Sequence, residues 1–231
     1  MSGQDITIEG AEGSFSAYLA IPASGSGPGI VVAQEIFGVN QVMRDVANWI
    51  ASEGFVALVP DLFWRIEPGI QITDKSDEEW KKAFELFGQF DPDKSMEDVQ
   101  TTITHLRGLD ACTGKVGAVG YCLGGFLAYL AATRTDSDAS VGYYGVRIPE
   151  CLNEAAKITN PLMLHVATND EFVPPEAQAQ MHKALGGNPL ITLHDYQGND
   201  HAFARVGGAH YDKAAADLAN SRTVDFFKAN L

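Results

Sequence analysis

The stretch Val116-Gly117-Ala118-Val119-Gly120-Tyr121-Cys122-Leu123-Gly124-Gly125 decides the fold. The apolar run at 116–119 reads as a buried strand, and a helical pattern follows from residue 123 to about 132. Between them lies the form of a nucleophile elbow, with cysteine where serine is usual. Such a turn forces its central residue into a strained backbone conformation and lifts that side chain above the sheet. Gly120 and Gly124 leave out side chains that would clash as strand and helix approach. A helix N-terminus behind Cys122 favours a thiolate, and the Leu123 N–H would face a developing oxyanion. A lone cysteine on an apolar turn also reads as a buried, inert thiol. The flanking glycines and the strand-to-helix context favour the nucleophile.

Outward from this stretch, short apolar runs alternate with amphipathic ones. Residues 6–8 and 15–21 read as paired opening strands. Residues 29–33 and 55–59 are continuous apolar runs, as buried parallel strands require, and Pro60 stops the second. Val42, Val46, Trp49 and Ile50 recur at helical spacing before Gly54. Further strands are expected at 139–143, 161–167 and 190–196, with helices at 92–107, near 175–185 and from about 208 to 227. Residues 61–98 break the rhythm. Their charged stretch at 74–82 and the aromatics Trp80, Phe84, Phe87 and Phe90 read as a loop and short helix lying over the body as a cap. The alternation predicts an α/β fold with a mainly parallel sheet flanked by helices. We expect a single domain, 1–231, with a cap-like insertion at about 61–98.

In such sheets the chemistry sits at the carboxyl ends of the strands. Asp170 follows the expected strand at 161–167, and His201 follows the last strand. The order Cys122, Asp170, His201 suits a nucleophile, an orienting acid and a base. Taken singly, Asp170 reads equally as a loop solvator or helix cap, and His201 as a loop histidine. Glu35 follows the apolar run 30–33 and should not be buried unpaired. It reads either as a structural ion pair with an arginine or as a carboxylate that raises the thiol pKa of Cys122.

Composition bounds the function. The 231 residues have a formal net charge of −14 and are 45% hydrophobic and 20% charged. Mean hydropathy is −0.06 and the pI is near 4.7. These values fit a soluble globular chain and disfavour nucleic acid or an anionic membrane as partner. No run of about 18 apolar residues and no signal-peptide pattern is present, so a cytoplasmic location is expected. Cys112, Cys122 and Cys151 read as reduced thiols. The six histidines show no metal-ligand spacing, and no glycine-rich phosphate loop appears, so neither metal nor cofactor is expected. His165, inside an expected strand, reads as a core residue.

Several stretches together resemble the dienelactone hydrolase (carboxymethylenebutenolidase) family of the α/β hydrolases, over almost the whole length. They are Gln34-Glu35-Ile36-Phe37-Gly38, Val59-Pro60-Asp61-Leu62, Gly120-Tyr121-Cys122-Leu123-Gly124-Gly125, Val141-Gly142-Tyr143-Tyr144-Gly145 and His201-Ala202-Phe203-Ala204-Arg205. The resemblance implies an α/β-hydrolase fold and hydrolysis of a small-molecule lactone or ester through an acyl-enzyme. It implies Cys122 as nucleophile, His201 as base and acid, and Asp170 as its orienter. It implies that Glu35 holds the resting thiol neutral, then takes its proton when substrate disturbs its pairing with Arg205. Ile36 and Leu123 would be the backbone oxyanion donors, and Phe37 would line the pocket. The family reads a substrate carboxylate with two arginines. Arg205 matches one, but the other position falls on Trp80. Phe84 stands where the family shows tyrosine, and Ala202 where serine is frequent. Lys81 and Arg65 are candidate replacement cations. Trp80, Phe84 and Ala202 therefore point to a less acidic, more apolar substrate. A monomer or weak homodimer is expected.

Overall fold

The computed structural model describes residues 3–231. The chain divides into two compact units, with the division between Gly117 and Ala118. In the first unit, β1 (Gln4–Gly10) and β2 (Gly13–Ala20) form a hairpin. β2 runs antiparallel to β4 (Val56–Pro60), and β4 runs parallel to β3 (Gly27–Ala33). Every residue of β4 is buried, which is why its sequence is an unbroken apolar run. Helix α1 (Gln41–Ser52) starts where the Asn40 side chain accepts the Met43 N–H. Helix α2 (Asp77–Gln89) is capped by Ser76 and has three acidic residues in its first turn, which suits its dipole. Helix α3 (Pro92–Arg107) is capped by Asp91 with Pro92 in its first turn.

Strand β5 (Cys112–Tyr121) begins in the first unit beside β3 and ends in the second beside β6 (Ser140–Tyr143). β7 (Leu162–Ala167) and β8 (Ile191–Tyr196) continue the parallel ladder. The eight strands run in the order β1-β2-β4-β3-β5-β6-β7-β8. The pairings of β2 with β1 and β4 are antiparallel and those of β3–β4, β5–β6, β6–β7 and β7–β8 parallel, so the expected α/β architecture with a mainly parallel sheet is what the chain adopts. Helix α4 (Leu123–Arg134) is buried from Leu123 to Thr133, and its sequence is correspondingly apolar on all sides. Helices α5 (Pro175–Leu185) and α6 (Lys213–Asn230) complete the second unit.

Two boundaries differ from expectation. The last helix starts at Lys213 rather than near 208, because Asp212 caps it and Gly207–Gly208 belong to a turn closed by the Gly208 N–H on the Arg205 carbonyl. Residues Ile148–Lys157 form kinked 3₁₀ turns where no element was expected.

A buried polar cluster ties α6 to the parallel strands. The Thr223 hydroxyl lies 2.6 Å from the Tyr143 hydroxyl and 3.0 Å from His165 Nε2. His165 Nδ1 lies 2.8 Å from the Tyr196 hydroxyl. Both ring nitrogens are thus satisfied by neutral partners, and burial pulls the imidazole pKa well below its ordinary value. The expectation of a core histidine holds.

Candidate active site

The elbow is built by exclusion. A Cβ on Gly120 would sit 1.9 Å from the Gly124 carbonyl oxygen, and one on Gly125 would sit 2.4 Å from that of Tyr143. Neither position accepts a side chain. Between them Cys122 is held at φ 56°, ψ −115°, a conformation that L-residues rarely adopt. Its backbone is pinned, with its N–H donating to the Tyr143 carbonyl and its own carbonyl accepting from Phe126 and Val146. Leu123 is the first residue of α4, so its N–H is one of the orphan donors of a helix N-terminus.

Asp170 and His201 leave the ends of neighbouring strands β7 and β8 and converge. His201 Nδ1 lies 2.7 Å from Asp170 Oδ2, and both side chains are largely buried. The other carboxylate oxygen of Asp170 accepts the Phe172 N–H at 2.8 Å. His201 Nε2 is buried with no hydrogen-bond partner among the described residues, and the Cys122 sulfur is near enough to influence the imidazole. Burial works against an imidazolium here. The neighbouring Cys122 sulfur, when anionic, and Asp170 outweigh it and push His201 up to about 10. The proton therefore resides on His201 whenever Cys122 is a thiolate. The second unit thus holds Asp170 and His201 in a hydrogen bond, with the Cys122 sulfur close enough to affect the imidazole.

After His201 the chain turns tightly. Ala202 takes a left-handed φ of 62°, and Arg205 donates its N–H to the Ala202 carbonyl. Phe203 anchors the turn, stacked 4.6 Å from Tyr196. Arg205 is buried, which draws its guanidinium down to about 10 and leaves it cationic at neutral pH.

In the first unit, Gln34, Glu35, Ile36 and Phe37 follow β3 and are all buried. Gln34 Oε1 accepts the Leu62 N–H, and Asp61 accepts the N–H groups of Phe63 and Gly69. The loop 37–40 is stitched to the segment that leads towards α2. Val39 donates to Ile70, Ile72 donates to Phe37, and Asn40 Nδ2 donates to Ile72. Phe37 meets Trp80 edge-on at 5.0 Å, and Trp80 stacks on Phe84 at 5.6 Å. The Trp80 indole N–H is held by the Asp74 carbonyl. Phe84 is 48% exposed. Three of the expected pocket residues therefore form one aromatic group. Arg65 is no spare cation, for its guanidinium is engaged by Asp98 and Glu12.

Two aromatic residues around His201 escaped the sequence reading. Tyr144 lies 5.1 Å and Phe172 lies 4.9 Å from the imidazole, both edge-on. Phe172 stands two residues beyond Asp170, a proximity that could have flagged it. Tyr144 lies within the stretch Val141-Gly142-Tyr143-Tyr144-Gly145, where no local pattern marks its ring for the imidazole.

The model of the dienelactone hydrolase family matches residues 15–231. The chain belongs to the dienelactone hydrolase family. A relative from Azospirillum brasilense is 51% identical over 230 residues, spanning 98% of this chain and 99% of its own. The carboxymethylenebutenolidase of Pseudomonas putida is 37% identical over 227 residues, spanning 98% and 96%. A solved structure from Klebsiella pneumoniae shares the fold with a TM-score of 0.87 at 24% identity, spanning 98% of each chain. Membership of the dienelactone hydrolase family makes this chain a hydrolase with the α/β-hydrolase fold. Among the described residues no helix is long and apolar enough to cross a membrane.

Proposed function

We propose that this chain hydrolyses an unsaturated lactone of the dienelactone type, or a related small carboxylic ester, through Cys122, His201 and Asp170. One observation supports this above the others: His201, bonded at 2.7 Å to a buried Asp170, faces a cysteine held at a strained elbow. The Cys122 thiolate attacks the carbonyl carbon, and the Leu123 N–H receives the oxyanion, a task that the family resemblance assigns to the Ile36 N–H as well. The tetrahedral adduct collapses to a thioester and expels an alkoxide or enolate, which takes its proton from His201. His201 then removes a proton from water, which attacks the thioester. Collapse releases the acid and restores the thiolate–imidazolium pair. His201 relays every proton in the scheme, and water replaces the one that the leaving group keeps.

Family resemblance assigns Glu35 the task of taking the resting thiol's proton ahead of this cycle, which leaves the thiolate beside an already protonated His201, and Arg205 that of reading a substrate carboxylate. A cationic, buried Arg205 is consistent with the second task. We place the enzyme in the cytoplasm as a monomer or weak homodimer acting on a small molecule, with no nucleic-acid or membrane partner.

A second reading has its own support. The Phe37–Trp80–Phe84 group presents aromatic surface where the family has an arginine and a tyrosine. It favours a neutral, more apolar carboxylic ester or thioester. Initial rates on a dienelactone with a free carboxylate and on its methyl ester separate the two. Faster turnover of the acid supports the dienelactone reading. Faster turnover of the ester makes this an esterase on the same scaffold. No turnover of either sinks both.

A further inference from the structure

Tyr144 follows the last residue of β6, and the reaction scheme leaves it without a task. The backbone on either side of it is bonded to the elbow. Cys122 donates its N–H to the Tyr143 carbonyl at 3.1 Å, and Val146 donates to the Cys122 carbonyl at 3.4 Å. Tyr144 lies between these two bonds with φ at 37°. Its own N–H donates to the His165 carbonyl at 2.8 Å. A non-glycine residue persists in that conformation only where its surroundings over-determine it, and such residues gather at functional sites. The ring sits edge-on to His201 at 5.1 Å and to Phe203 at 5.4 Å. The residue is 2% exposed, and its hydroxyl has no hydrogen-bond partner among the described residues. Buried hydroxyls are almost always bonded, so an open one beside reacting groups is informative.

We propose that Tyr144 is a positioning residue whose hydroxyl donates a hydrogen bond to the Cys122 sulfur when that sulfur is anionic. This rests on the reading of Cys122 as nucleophile and adds a second donor to the imidazolium of His201. Burial and the negative charges of Tyr121, Cys122, Tyr143 and Asp170 in their ionised forms hold the phenol pKa well above its ordinary value. His201 is the cationic group facing the ring. The phenol therefore keeps its proton throughout, and no bond to it forms or breaks. The thiolate is both the attacking group and the group expelled when water cleaves the thioester, so one hydrogen bond serves both half-reactions. It vanishes in the acyl-enzyme, where sulfur has no negative charge to offer.

The test is Tyr144→Phe, which keeps the ring and removes the donor. Iodoacetamide alkylation of Cys122, located by mass spectrometry, is followed across a pH series beside kcat and KM. Loss of one hydrogen bond to a charged group predicts alkylation slowed roughly tenfold or more at neutral pH, and kcat lowered by a similar factor. KM should stay near the wild-type value. A purely structural role would leave the alkylation profile in place, and that result overturns the proposal. Replacement of all tyrosines by 3-fluorotyrosine, a stronger donor, tests the same idea in a chain that retains Tyr144. It should shift the profile to lower pH, and an unchanged profile overturns the proposal equally. The parent reading is tested apart: an acyl adduct trapped on Cys122 supports it whatever Tyr144→Phe does, and its absence during turnover sinks it.

Discussion

Sulfur and oxygen are not interchangeable at the elbow. His201 is tuned to hold a proton beside an anionic sulfur, with Asp170 fixing its Nδ1 side. A serine hydroxyl is a far weaker acid and needs a proton removed as it attacks. Cys122→Ser should therefore lower kcat about 100-fold or more, measured on whichever lactone or ester turns over fastest. Wild-type activity in that variant would place the nucleophile elsewhere. At this scale the sequence was informative where a residue's placement follows from its position in a motif or at a strand end. The strained backbone of Cys122 and the pairing of Asp170 with His201 met that condition. The ring contacts of Tyr144 and Phe172 with His201 join chain segments dozens of residues apart, and no local pattern announces them.

Elements were legible in proportion to burial. Strands β3, β4 and β7 are buried almost throughout and wrote themselves into apolar runs. The start of α6 was misplaced because a turn bonded to Arg205 precedes it, and the 3₁₀ turns at Ile148–Lys157 have no long period to detect. The cluster that binds α6 to β6, β7 and β8 was invisible beforehand, since Tyr143, His165, Tyr196 and Thr223 meet only in three dimensions. Thr223→Val removes the central hydroxyl and strands Nε2 of His165. It should cost about 1–3 kcal/mol in urea denaturation. His165 also sets an acid limb. Its folded pKa lies below, and its unfolded pKa near, the ordinary value of 6.5. Stability from this group is present above 6.5 and is lost as pH falls through that value toward the folded pKa, because the unfolded chain binds the proton first. Melting temperatures should decline over that range, and His165→Asn should flatten the decline. An unaltered slope in the variant would assign the loss to other groups.

Over the whole molecule, a net charge of −14 opposes an anionic substrate at long range. The repulsion is screened beyond about 8 Å at physiological salt. Raising salt should therefore increase kcat/KM for the free-acid lactone about severalfold from low ionic strength and leave the methyl ester unaffected. Equal salt responses would mean that the overall field has no part in capture. One further consequence follows from the position of the division between the units, inside β5. Cys122, Asp170, His201 and Arg205 are all encoded downstream of it, while Glu35, Ile36, Phe37, Trp80 and Phe84 are encoded upstream. A single recombination event within the codons of β5 would exchange one inheritance for the other. The aromatic group can then be shuffled between genes while Cys122, Asp170 and His201 pass on together.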